Sequence, residues 1–169
     1  AADVLDFDFM KELRSFTRNL KEDFWLMGEV IHGDYSRWAN SDMLDSVTNY
    51  ELHKGLYSGH NDHNYFEIAH SIKRLLGICG DTRLYTFVDN HDTQMGQALQ
   101  SEIQGWFKPL AYALILLRES GVPCVFYGDY YGIEHDNISS KKEILDIFIK
   151  LRRDKLYGKQ NDYINDFNI

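Results

Sequence analysis

The sequence is short of cysteine, proline, positive charge and long apolar runs, and each shortage excludes something. Its two cysteines, Cys79 and Cys124, have no metal-ligand spacing and form no disulfide framework, so both read as buried free thiols. With only two prolines and 44% hydrophobic residues, the 169-residue chain is not disordered and is long enough to bury a core. Lys and Arg number 18 against 26 Asp and Glu, a formal charge of -8, which argues against a nucleic-acid partner because phosphate binding needs clustered cations. No apolar run approaches the ~20 residues that cross a membrane, so no membrane association is expected. A secretory leader is also missing, which favours the cytoplasm over secretion.

Aromatic residues are plentiful at 14%. They either fill core and interface or line a sugar-stacking cleft. Hydrophobic periodicity divides the chain into alternating helices and strands. Asp6 caps a helix carrying Phe9, Met10, Leu13, Phe16 and Leu20. A short strand over 24–27 ends at Gly28-Glu29. A weaker strand over 44–47 leads into a short helix over 51–57, and 58–63 reads as a turn-rich loop. The next helix, begun by Asn64, turns Tyr65, Ile68, Ala69, Ile72, Leu75 and Leu76 inward and stops at Gly77. The strand over 84–88 comes next. A helix with Pro109 in its first turn then faces Phe107, Leu110, Ala111, Leu114 and Leu117 inward. The strand over 122–127 reads as the clearest buried one. Ser140 and Glu143 form a capping box for the last helix, closed by Gly158, and 163–169 reads as a further strand. Alternating strands and helices predict an α/β fold with a parallel sheet: half of an eight-stranded barrel, or a small open sheet.

Three strand ends carry acids: Glu29, Asp92 and Asp129. In parallel α/β folds the carboxyl ends of strands are where sites are built. Glu29 leaves an apolar strand behind a residue with no side chain, the setting of a proton donor. It could equally form a salt bridge to a neighbouring element. Asp92 closes the polar cluster Asp89-Asn90-His91-Asp92 and could serve chemistry or cap a loop. Two acids on neighbouring parallel strands is a glycosidase arrangement. His53, His60, His63 and His70 match no metal-ligand pattern and read as solvated loop residues. Trp38, just after the Glu29 strand, either stacks on substrate or packs its loop.

Phe87-Val-Asp-Asn-His-Asp92 resembles the most recognisable segment of the alpha-amylase family. Gly28-Glu29-Val30 resembles the segment that bears the family's acid/base glutamate. The run from Trp106 to Asp129 is similar to the seventh helix and eighth strand of bacterial alpha-amylases, and Tyr157–Tyr163 to the start of their C-terminal β-domain. The resemblance implies the second half of a TIM (β/α)8 barrel, four βα units (strands 5 to 8) with the preceding helix, over residues 1–157, and a truncated C-terminal β-domain from 158 to 169. It implies retaining cleavage of α-1,4-glucosidic bonds in starch-like glucans, with Glu29 as general acid/base and Asp92 stabilising the oxocarbenium-like transition state. His91 would bind the same sugar, His32 the next, and Trp38 is the stacking candidate.

The family's nucleophile would fall immediately before Ala1, so none is expected in this chain. The family's usual Lys-His pair falls on Asp3 and Val4, a departure. The expectation is therefore an inactive fragment of an α-glucan hydrolase. No cofactor or metal is expected here, with calcium left to the full-length parent. Two exposed half-barrel edges predict a homodimer. Two competing readings are a non-catalytic amylase-like binding or chaperone subunit, and a metal-dependent TIM-barrel hydrolase using Asp89, His91 and Asp92 as ligands.

Overall fold

A computed structural model describes residues 1–79, 83–161 and 163, and for 75–79 the backbone alone. Four strands, β1 (Met27–Gly28), β2 (Ser46–Thr48), β3 (Leu84–Phe87) and β4 (Val122–Cys124), lie in that spatial order and pair in parallel throughout. Helices separate them: α1 (Phe7–Leu20) precedes β1, α2 (Tyr35–Trp38) comes after it, and α3 (Tyr50–Asn61) with α4 (Tyr65–Cys79) connects β2 to β3. Beyond β3 come α5 (Lys108–Leu116), α6 (Tyr127–Tyr131) and α7 (Lys142–Lys155). The expected α/β class and parallel sheet are met. The expected strand over 163–169, the inward faces of Leu75 and Leu76 and the thiol of Cys79 lie outside the described residues. No described helix is long and apolar enough to cross a membrane.

Several boundaries move, for identifiable reasons. Asp6 does cap α1, accepting the Phe9 N–H at 2.8 Å. Met10 is buried and Leu13 half-buried, yet Phe9, Phe16 and Leu20 are exposed. The first strand starts later than expected because Leu26 is held by Asp45: its N–H bonds the Asp45 carboxylate at 2.8 Å, and its carbonyl accepts the Asp45 N–H at 2.9 Å. Arg14 ties α1 to the same carboxylate at 3.0 and 3.1 Å.

Helix α3 runs through the expected loop as far as Asn61. Its glycines mark helix contact: a Cβ on Gly55 would stand 2.8 Å from the Glu67 carbonyl of α4, and one on Gly59 2.5 Å from Ile68. Helix α4 continues past Gly77. In α5 the inward face is Lys108, Ala111, Tyr112, Ile115 and Leu116, while Leu110, expected inward, is 61% exposed. Strand β4 is half-buried and ends at Cys124, because the chain turns into α6 at Tyr127. It lies at one side of the sheet, where Pro123 needs no ladder N–H. Cys124 is accordingly half-buried rather than buried. Ser140 bonds the Lys142 N–H at 3.2 Å, so the expected box with Glu143 is replaced by a helix that starts one residue later.

Candidate active site

The carboxyl ends of the strands open on a cleft of about 380 Å³ lined by Glu29, Phe87, Asn90, His91, Phe126 and Tyr127, among others. Both β1 and the residues just beyond it place Glu29. A Cβ at Gly28 would stand 2.3 Å from Leu44, so only glycine lets β1 sit this close to the core. Past Glu29, the Val30 N–H bonds Thr48 Oγ1 at 2.9 Å, and that hydroxyl returns a bond to the Val30 carbonyl at 3.1 Å, registering the end of β1 on β2. The Glu29 carboxylate accepts a hydrogen bond from Tyr50 at 2.7 Å and lies 3.7 Å from the nitrogen of Ala1.

Beyond β3, Asn90 organises the turn that presents His91 and Asp92. Its Oδ1 accepts the N–H groups of Asp92 at 2.9 Å and Thr93 at 3.0 Å, and its Nδ2 donates to the Tyr50 hydroxyl at 2.9 Å. His91 is 82% exposed at its side chain, with Nε2 3.6 Å from the partly exposed Asp92 carboxylate. His32 is exposed, and its loop is anchored by Asp3, whose Oδ2 accepts the N–H groups of Ile31 and His32 at 3.1 Å each. The structure thus joins Glu29 to the Asn90–Asp92 turn through Tyr50. Trp38 does not take part: its ring is buried against the edge of Phe7 at 5.5 Å, so it packs its loop and offers no stacking face.

The third strand-end acid has a different partner. Asp129 is buried with Lys108 Nζ in hydrogen-bond contact and the Tyr112 hydroxyl at 2.6 Å, and Lys108 also meets Asp89 at 2.9 Å. Asp89 further accepts from Thr93 Oγ1 at 3.0 Å and from the Ile103 N–H. Burial pushes the Asp89 carboxyl up to about 7, with Lys108 opposing and the charge of Asp129 adding. Burial works against the Lys108 charge as well, but the two carboxylates prevail and raise its pKa. Asp89 is therefore committed to an internal ion cluster, and the metal-ligand reading of Asp89, His91 and Asp92 is corrected. Among the described residues no three His, Cys, Asp or Glu side chains gather as a metal site.

The histidines also need correction. His53 and His60 are buried on α3; His63 and His70 are exposed, His70 on α4. His53 bonds the Val88 carbonyl and Ser101 Oγ, both at 2.7 Å, and stacks on Phe87 at 5.4 Å. Burial pulls its imidazole down to about 4. Sequence reasoning misses Tyr50 and Lys108 and misreads His53 as solvated. The available signals were the i, i+4 spacing of Lys108 and Tyr112 on an apolar helix, and of Asn49 and His53 after β2.

A family model for the alpha-amylase catalytic domain matches residues 4–161. An "Alpha-amylase" of Geobacillus stearothermophilus is 40% identical over 96% of this chain and 30% of its own length. A "Glucan 1,4-alpha-maltohexaosidase" of Bacillus sp. (strain 707) is 41% identical over 96% of this chain and 32% of its own. The chain thus spans about a third of the length of these curated relatives. Among solved structures, a cyclomaltodextrin glucanotransferase, CldA, superposes with a TM-score of 0.69 at 18% identity, covering 88% of this chain and 34% of that one. The cyclic alpha-maltosyl-(1-->6)-maltose hydrolase of Arthrobacter globiformis does so at 0.66 and 19%, covering 88% and 37%. These likenesses and the all-parallel sheet fit part of a TIM barrel. The chain belongs to the alpha-amylase family of glycoside hydrolases, within the family's catalytic domain.

Proposed function

We propose that this chain supplies strands 5 to 8 of an amylase-type (β/α)8 barrel, and that the parent enzyme hydrolyses α-1,4-glucosidic bonds in starch-like glucans with retention. The observation that carries the reading is the cleft at the strand ends, where Glu29, after β1, and Asn90 and His91, after β3, face one volume from either side of β2, with Asp92 next in the turn that Asn90 holds. In this reading Glu29 protonates the glycosidic oxygen and then activates water. Asp92 holds sugar hydroxyls and stabilises positive charge developing at the anomeric carbon, His91 binds the same sugar, and His32 meets the next. Residues from 158 onward begin the C-terminal β-domain.

The nucleophile is assigned to the residue preceding Ala1 in the parent. The nitrogen of Ala1 lies 3.7 Å from Glu29, so this part of the backbone runs beside the candidate acid. Retaining glycosidases keep their two carboxyl groups only about 5 Å apart. This chain alone is then inactive on starch, because covalent catalysis has lost its attacking group. The exposed apolar side chains of α1 and of the segment before β1, Phe9, Phe16, Leu20, Phe24 and Trp25, favour self-association of the isolated chain as a homodimer.

Activity of the full-length parent on maltoheptaose tests the assignment. Glu29→Gln is expected to lower kcat by about 10²-fold or more, the usual worth of a general acid. Full activity in that variant would overturn the role of Glu29, whereas a wild-type parent with no activity on maltoheptaose would favour a non-catalytic binding subunit.

A further inference from the structure

We infer that Tyr50 and Asn90 are positioning residues that clamp the Glu29 carboxyl in register with the turn bearing Asp92 and dictate which Glu29 oxygen carries the catalytic proton. The inference rests on the proposed role of Glu29 and deepens it. The geometry fixes every proton in the bridge. Asn90 Oδ1 is occupied by two backbone N–H groups, those of Asp92 and Thr93, which identifies this atom as the oxygen of the amide. The group facing Tyr50 at 2.9 Å is therefore the amide NH₂, a donor only. Tyr50 must accept from it. Its own single proton is left for Glu29 Oε1, at 2.7 Å.

Burial, with the Glu29 carboxylate beside it, pushes the Tyr50 phenol well above its ordinary value of 10.0, so that proton stays in place throughout the working pH range. Oε1 consequently remains an acceptor in both states of Glu29. When Glu29 is the acid, its proton sits on the other oxygen; when it is the base, that same oxygen is free to take one from water. The clamp need not rearrange between the two half-reactions.

Tyr50 is itself rigid. It is buried at the first turn of α3, where Asn49 caps the helix by accepting the Leu52 N–H at 2.9 Å, and its ring meets Phe87 edge-on at 5.0 Å. A glutamate has three side-chain torsions, and a misplacement of about 1 Å at a reacting group can cost on the order of 10²-fold in rate. The bridge also spans β1, β2 and β3, so the Glu29 carboxylate and the backbone of Asp92 are held by one hydrogen-bonded chain rather than by separate loops.

The test compares kcat/KM of the full-length parent on maltoheptaose, whose leaving sugar needs a proton, with that on α-maltosyl fluoride, whose fluoride does not. Tyr50→Phe is expected to lose about tenfold or more on maltoheptaose and under about threefold on the fluoride. Asn90→Asp keeps the acceptor oxygen but turns the donor into a competing acceptor for the Tyr50 proton. It is expected to show the same selective loss, and the double variant no more than Tyr50→Phe alone. Equal losses on both substrates, or none on either, would overturn the positioning role. Glu29→Gln is the separate control: without its own selective loss on maltoheptaose the acid assignment itself fails, whatever Tyr50 does.

Discussion

At the scale of single residues, the ionisable groups buried behind the cleft are set against one another. Asp89 rises from 3.8 to about 7 on folding, so the folded state prefers it protonated. Its contribution to stability is complete below about pH 4 and is lost as pH rises toward 7. His53 falls from 6.5 to about 4, so its contribution is complete above about pH 6.5 and is lost as pH falls toward 4. Across that window the two slopes oppose. Asp89→Asn should therefore make the chain lose stability more steeply on acidification, and His53→Gln should make it lose stability as pH rises. Urea midpoints measured from pH 4 to 7 read both slopes, and unchanged slopes in the two variants would refute the assignment. Lys108 compensates two buried carboxylates, so Lys108→Met should cost about 3–5 kcal/mol near neutral pH, the penalty of leaving buried charge unpaired. Chemical denaturation with a loss under about 1 kcal/mol would show that the cluster does not need its cation.

At the scale of elements, glycine is where sequence and structure part most usefully. Gly59 falls in the expected turn and Gly55 in a short expected helix, yet both lie within α3, at places where α4 packs closely. Helix propensity alone says that Gly55→Ala should stabilise by about 0.5–1 kcal/mol. The contact with the Glu67 carbonyl at 2.8 Å says the reverse, because backbone must move. The expected result is destabilisation by about 1–3 kcal/mol, the usual cost of overpacking; a raised thermal midpoint would contradict it. Legibility in the sequence obeys the same logic. The Asp6 cap, β3 over Leu84–Phe87 and the strand-end position of Glu29 depend on neighbours in sequence, and all are found. The buried state of His53, the Lys108 cluster and the Tyr50 bridge depend on partners between 17 and 48 residues away, which local patterns do not encode. Trp38 illustrates the same limit, since either a stacking or a packing role suits its sequence and only Phe7 decides between them.

At the scale of the whole molecule, a four-stranded parallel sheet presents one face of a cleft of about 380 Å³ while apolar side chains of α1 and the segment before β1 stand in solvent. That combination leads to the prediction that the isolated chain self-associates, which sedimentation would read as a species of twice the chain mass; a monodisperse monomer would count against it. The central claim is that the parent is a retaining enzyme in which Glu29 moves the proton and the residue before Ala1 attacks the sugar. Treating the full-length Glu29→Gln variant with a fluorinated maltosyl fluoride that stalls hydrolysis, then mapping the labelled peptide by mass spectrometry, tests it most directly. The sugar is predicted on the side chain preceding Ala1. Label on Asp92, or no covalent label at all, would contradict the account.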